Sequence, residues 1–378
     1  RFWPFVLKPA LKHPLATLLV AVAALLAVAT PALGMTLKFP GTEDLPRDTA
    51  VMQAYDRLTA AFPSTGTNHQ VAVRAPADQQ AAVRAALADL VQRTETNALF
   101  AQDGLEQPRV SKDGTVTVLD VATPYDGGSP QARESLTKLR TELIPQTVGK
   151  VQGAEYAVGG FVAADVDYAK HTKAKLPLVI GFVLLLTMIV MIATFRSVVV
   201  ALTAIGLNLL SAAAAYGVVT AVFEGTWAEG LLDFRSNGAV VSWLPLFLFV
   251  VLFGLSMDYH VFVVSRIREA VLRGVPNRQA VADGITGSAG VVTSAAAVMI
   301  GVFAVFATLS TLDMKQLGVG LAVAILIDAT IIRAVVLPSV MILLGDANWW
   351  APRWLRPKPP RPAVQPTADP ERDLTLVG

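Results

Sequence analysis

The chain has 378 residues, 53% of them hydrophobic and 16% charged, with a mean hydropathy of +0.53 and a net charge of +2. A soluble domain carries about 25% charged residues, so the deficit points to membrane-spanning helices, and 31 Lys and Arg against 29 Asp and Glu leave no nucleic-acid footprint. Without a cysteine there is no disulfide framework and no thiolate metal site, no cofactor is expected, and the opening at Arg1 instead of Met suggests a piece of a longer or processed product.

Residues 14–34 follow Lys8, Lys12 and His13 and are long enough to cross a bilayer, whereas a signal peptide has a shorter apolar core. Residues 35–175 are polar and patterned as a folded domain. Within it, 48–62 reads as an amphipathic helix with Val51, Tyr55, Leu58 and Phe62 on one face. Residues 69–74 alternate like a strand, and 77–94 form an alanine-rich helix. Strands at 109–111 and 115–122 flank the turn pair Asp113-Gly114. Ser129 and Pro130 cap a helix running to 144, and a strand at 155–158 precedes Gly159-Gly160. The order is β-α-β-β-α-β, the split βαβ or ferredoxin-like arrangement. A helix from Phe161 re-enters the membrane, where 176–195, 198–222, 240–264, 284–309 and 316–344 are each long enough to cross. The proline-rich tail after Ala351 has too few apolar residues to bury a core and is expected to be disordered.

The chain therefore divides into a first span with its cytoplasmic start (1–34), an extracytoplasmic domain (35–175), a five-helix bundle (176–350) and a tail (351–378). Arg196, then Arg266, Arg268, Arg273 and Arg278, then Arg353, Arg356 and Arg361 alternate with a loop carrying Glu224, Glu229 and Asp233 against Arg235. The positive-inside rule puts the basic connections and both termini in the cytoplasm. Trp243, Trp349, Trp350 and Trp354 stand at segment ends, as an interfacial belt does.

Ionisable side chains inside a span cost roughly 2.5–3.5 kcal/mol on insertion scales and carry a functional or pairing reason. Three occur: Asp258 in the fourth span, Asp328 and Arg333 in the sixth. Asp258 lies about 12 Å from Arg266 along the helix, sharing a face with Leu255, Phe262 and Ser265, while Tyr259 points about 100° away. Asp328 and Arg333, five apart, fall about 140° apart on an α-helix, so partners on other helices are expected for both, and Arg333 lies near the level of Asp258. A membrane carboxylate without an assured counter-ion is a candidate proton carrier. Static charge pairing between helices is the alternative for all three. His260 does not face Asp258 and suits packing or water. His13, His69 and His171 have no constellation around them.

In the fifth span Gly287, Gly290, Ser294, Ala297 and Gly301 form a small-residue face that suits close helix approach. Ser288, Thr293 and Ser294, with Phe262, are candidates for helix packing or for supporting a relay across that face. The outer domain holds Tyr125, Asp165 and Asp167, which read as a solvated helix face, and carries no GxSxG, HExxH or P-loop motif.

The stretches GLSMDYHVFVVSRIREA and KQLGVGLAVAILIDATIIRAVVLPSVMILLGDANWWAP resemble the MMPL family of the RND transporter superfamily, known mainly from actinobacterial lipid export, and VGG at 158–160 fits as well. The resemblance covers about residues 8 to 354 and is to the second of the two similar halves of family members. It implies a porter domain between the first span and five more, and an Asp-Tyr pair that meets its counterpart from the other half and carries protons. Carried over, Asp258 and Tyr259 are that pair, and Asp328 and Arg333 match charged positions of the last span. The residue after the Tyr, commonly acidic in the family, is His260. The implied partners are protons, a lipid or other apolar substrate, and the missing N-terminal half or a second half-size chain, with a homo-oligomer as one form. Three functions fit: proton-driven export of hydrophobic molecules, lipid or sterol sensing without pumping, and, with least support, a membrane enzyme.

Overall fold

The computed structural model describes residues 2–41, 45, 49–61, 66–101 and 107–352. Asp48, Phe62, Arg353, Trp354, Arg356, Arg361 and the tail expected to be disordered from residue 353 onward lie outside the described residues. Two helices open the chain, α1 (Phe2–Lys12) and α2 (Pro14–Ala29), with the turn extended to Gly34. The first was not anticipated, because Pro9 inside it argues against a helix.

The polar segment contains β1 (Leu37–Lys38), α3 (Ala50–Ala61), β2 (Thr67–Arg74), α4 (Gln80–Glu95), β3 (Arg109–Val110), β4 (Val116–Thr123), α5 (Pro130–Lys138), α6 (Ile144–Gln146) and β5 (Glu155–Gly159). β2 to β5 form one sheet in the order β3-β4-β2-β5, every neighbouring pair antiparallel. Alternation along the strands turns His69, Val71, Val73, Leu119 and Val121 inward, onto Val83, Leu87 and Leu90 at helical spacing on α4. The Asp113-Gly114 turn forms as its residues require: Gly114 sits at φ 69°, and the Asp113 carboxylate accepts from both Ser111 and Thr115. Gly160 ends the sheet at φ 103°, where a Cβ would lie 2.5 Å from the Asn68 carbonyl.

Three expectations for this segment change. The helix expected over 129–144 is broken by a π-helical stretch, Leu139–Leu143, just ahead of Pro145, which has no N–H for the i−4 carbonyl. Val51 and Leu58, expected on a packed face of α3, are exposed, and Met52 is the residue that is buried. Asp165 is not on a solvated face: it is buried, accepting from the Phe39 N–H at 2.9 Å and from Arg133 at 2.7 Å. Asp167 takes a two-pronged bond from Arg140 at 2.7–2.8 Å, and the Tyr125 hydroxyl donates to Ala98 O.

α7 (Phe161–Phe195) runs unbroken for 35 residues from the sheet into the bundle, roughly 50 Å at 1.5 Å per residue. The bundle continues with α8 (Val198–Phe223), the short α9 (Glu229–Leu232), β6 (Val240–Val241), α10 (Leu244–Leu272), α11 (Asn277–Phe306) and α12 (Leu312–Ile327). The last span then winds as a π-helix over Asp328–Val336 and returns to α-helix in α13 (Leu337–Leu344). Among the described residues six helices are long and apolar enough to cross a membrane: Pro14–Gly34, Phe161–Phe195, Val198–Phe223, Leu244–Leu272, Asn277–Phe306 and Leu312–Trp349.

Their connections sort to two ends. At one end Ser197 donates to Asn348 O at 2.6 Å, Arg268 donates to Thr194 O and lies over the Trp349 ring, and Asn277 reaches Met341 O. At the other, β1 pairs in parallel with β6, Thr36 N–H bonds Glu224, and Lys315 bonds Leu232 O. The arginine-rich connections thus share one end, and the acidic loop and the sheet share the other. The second sheet, β1 with β6, was not foreseen, since two-residue strands carry no readable alternation.

Close helix approach occurs at other glycines than expected. At Gly217 a Cβ would sit 1.9 Å from Val28 O, and at Gly284 it would strike Ile267, so these positions seat α8 on α2 and α11 on α10. Gly287, Gly290 and Gly301 have nothing within 4 Å, and Ser294 and Ala297 are exposed: that face of α11 is open.

His69 yields a pH prediction. Its ring is buried, with Nε2 bonded to the Ser135 hydroxyl at 2.7 Å and Nδ1 without a hydrogen-bond partner among the described residues. Desolvation, and then the charge of Arg140, pushes its pKa from 6.5 to about 4. Because the folded value is the lower, the unfolded chain binds the extra proton first, so stability is full above about pH 6.5 and falls toward pH 4. The loss is on the order of 3 kcal/mol. Acid titration of the domain's unfolding, by urea and circular dichroism, should show this slope, and His69→Gln should flatten it.

Candidate functional site

The charged residues of the last span meet each other, against the α-helical expectation. Arg333 donates to Asp328 Oδ2 from Nε at 3.0 Å and from Nη2 at 2.8 Å, with both side chains buried. The cause is the π-helix from Asp328 to Val336, whose i→i+5 bonding stacks residues five apart. Thr330, Ile331 and Ile332 are β-branched and weak α-formers, and Pro338 offers no N–H to the Ala334 carbonyl. Both features favour leaving the α-helical ladder here.

The pair is held from α10. Arg333 Nη2 also donates to Ser256 O at 2.6 Å, and its guanidinium lies 5.1 Å from the Tyr259 ring centroid, a cation–π contact. The Ser256 hydroxyl donates to Asn208 Oδ1 on α8 at 2.6 Å. Three helices therefore converge on one guanidinium. Beside it, Leu252, Leu255, Ser256, Tyr259, Val292, Ala296 and Asp328 line a small cavity of about 10 Å³, on the scale of a single water. Buried donor and acceptor capacity remains on Arg333 Nη1, Asn208 Nδ2 and His260 Nε2, which have no hydrogen-bond partner among the described residues.

Asp258 stands apart from this cluster. It is exposed on the outer face of α10, and the Arg333 bonds go to Asp328 and Ser256, not to it. Asp258 and Tyr259 do face different surroundings, Tyr259 inward under Arg333 and Asp258 outward, one turn before Phe262, which borders an open groove together with Gly287. The relay-support candidates do not reach it. Ser288 bonds Gly284 O and Ile285 O, Thr293 bonds Ala289 O, and Ser294 bonds Val291 O, each within its own helix. Phe262 sits under Arg266 at 5.6 Å. His260 is buried, which agrees with a packing role. Among the described residues no group of His, Cys, Asp and Glu is placed to hold a metal ion.

The model of the MMPL family matches residues 43–365. The chain belongs to the MMPL family. It is 35% identical to the mycolic acid-containing lipids exporter MmpL11 of Mycolicibacterium smegmatis over 94% of this chain and 37% of that protein. To the trehalose monomycolate exporter MmpL3 of Mycobacterium tuberculosis it is 30% identical, over 94% of this chain and 38% of the relative. To the heme uptake protein MmpL11 of Mycobacterium tuberculosis it is 37% identical, over 71% of this chain and 27% of the relative. The chain thus spans well under half the length of these relatives, which carry names of transport proteins.

Within this MMPL bundle, sequence reasoning missed Asn208 and Ser256. Their signal was present: Asn208 is a lone amide in the apolar run of α8, with Ser211 three residues on, and both are buried.

The buried pair predicts an asymmetry. Arg333→Met strands the Asp328 carboxylate, and Asp328→Asn strands the guanidinium, so each should cost about 3–5 kcal/mol, whereas Asp328→Leu with Arg333→Met together should recover most of it. Thermal unfolding of the detergent-solubilised protein checks this. Additive losses in the double variant would mean the two side chains do not depend on each other.

Proposed function

We propose that this chain is one half of an exporter that moves lipids or other hydrophobic molecules across the plasma membrane using the proton gradient. In this reading residues 35–175 are the ferredoxin-like porter domain and lie outside the cell, with the termini inside. The strand order β3-β4-β2-β5, with α4 and α5 in its two crossovers, supports the porter assignment. The arginine-rich connections at the end away from the sheet support the orientation. The exporter names of MMPL relatives over 94% of the chain support a lipid cargo and a non-enzymatic role.

One observation carries the mechanism: Asp258, exposed and without a hydrogen-bond or ion-pair partner among the described residues, adjoins in sequence the tyrosine that packs on a fixed charge cluster. Arg333, bound to Asp328 and Ser256 and stacked on Tyr259, fixes a positive charge inside the bundle. Asp258, one residue from Tyr259, looks outward from the same turn of α10. We infer that Asp258 gains and loses the transported proton, that Tyr259 orders the path beside it, and that the Arg333–Asp328 pair holds the geometry. The open face carrying Asp258, Gly287 and Gly290 then receives the second half of the transporter, with its own Asp-Tyr pair, from the same polypeptide or from another chain.

Asp258→Asn keeps shape and hydrogen bonding but carries no exchangeable charge. In the assembled transporter it should reach normal membrane levels and export nothing, while Tyr259→Phe should be milder, losing about 0.5–1.5 kcal/mol of one hydroxyl's bonding. Lipid movement across reconstituted vesicles is measured in both directions, since one relative is named for uptake, with and without a protonophore. Transport by Asp258→Asn at the normal rate, still collapsed by the protonophore, would move the coupling elsewhere. Ligand binding with no transport in the unmodified protein would favour the sensor reading.

A further inference from the structure

The connection between α8 and β6 presents two large apolar side chains outward: Trp227 is 68% exposed and Leu231 79% exposed. Single exposed apolar residues are ordinary, but these two are held out by a braced frame. Glu229 accepts from the Ser236 N–H at 2.8 Å, Ser236 donates to Phe223 O at 2.6 Å, and Lys315 caps Leu232 O at 2.7 Å. Phe234 packs on Phe223 with ring centroids 4.9 Å apart, and Ala228 is buried between them and the bundle core. Asp233 takes a left-handed conformation at φ 50° to close the turn. The loop's interior is thus filled, and Trp227 and Leu231 are left outside by design of that frame.

Their level in the fold says what meets them. The loop begins where α8 ends at Phe223 and leads into β6, which pairs with the strand that follows the first span by three residues. It therefore lies at the membrane boundary on the sheet side. The Trp227 indole N–H is already satisfied, donating to Ala221 O on the last turn of α8 at 2.6 Å, so the ring enters an apolar boundary without an orphaned donor. Asp233 and Arg235 are exposed beside it and suit headgroups. An aromatic ring at this depth is the usual interfacial anchor.

We propose that residues 224–236 form a membrane-surface foot, with Trp227 and Leu231 inserted at the headgroup–acyl boundary of the leaflet on the sheet side. The foot fixes the height of the sheet domain over that leaflet. The loop joins the ends of two candidate membrane spans, α8 and α10, which is why a bilayer rather than a protein is its occupant.

The absence of cysteine makes the test direct. Trp227→Cys, Leu231→Cys and, as a water-exposed reference on the hairpin, Lys112→Cys are spin-labelled in the protein reconstituted into phosphatidylcholine–phosphatidylglycerol vesicles. Collision with oxygen relative to a water-soluble nickel chelate should be several-fold higher at 227 and 231 than at 112. Ratios equal to that at 112 would place the loop in water and overturn the proposal. Low collision with both reagents would mean a protein partner, a second copy or the other half, and would overturn it too. Independently, acyl-brominated lipid should quench a fluorescence component that disappears in Trp227→Phe, and an unquenched component would contradict insertion.

Discussion

The ion pair between Asp328 and Arg333 exists because the last span is wound as a π-helix for nine residues. An α-helix would turn the two side chains to different sides and leave each in need of a partner elsewhere. With the wider winding they satisfy each other, and the guanidinium keeps one N–H for the Ser256 carbonyl and its face for Tyr259. Every other feature of the site follows from this: α8, α10 and the last span are locked at one point, and Asp258 is left as the intramembrane carboxylate with no claim on Arg333. π-Helical turns are rare, and they concentrate at functional sites.

The same device recurs in the sheet domain. Leu139–Leu143 is the second π stretch, it too ends two residues ahead of a proline, and it too places an arginine at a junction. Arg140 binds Asp167 on α7 and the Val158 carbonyl, while Arg133 binds Asp165 two residues earlier on the same helix. These bonds fasten the sheet's helices to the outer part of α7, which continues without a break into the membrane. Phe39, between Phe161 and Tyr168 and hydrogen-bonded to Asp165, ties the strap after the first span to the same helix.

The spans were legible because apolar length is a direct physical requirement of a bilayer, and the sheet because its strands alternate and its turn carries Asp113-Gly114. The intramembrane charges stood out on cost alone. Their pairing was not legible, since it depends on a departure from α-helical winding. The signal for that departure is a β-branched run ahead of Pro338, and the proline is the part of it that the stretch ahead of Pro145 shares. The open face of α11 is a different case. Small residues declare that close approach is possible, not which neighbour makes it, and within this chain Gly217, Gly284 and Gly318 are among the glycines where it occurs.

Asp258 is the carboxylate proposed to exchange its proton, and Asp328 is bound to Arg333 as its structural partner. Infrared difference spectra of the membrane-embedded, assembled protein between acid and neutral pH report directly on carboxyl groups that change protonation. A protonated-carboxyl band that is lost in Asp258→Asn and retained in Asp328→Asn is the result the account predicts. A band retained in Asp258→Asn and lost in Asp328→Asn would contradict it.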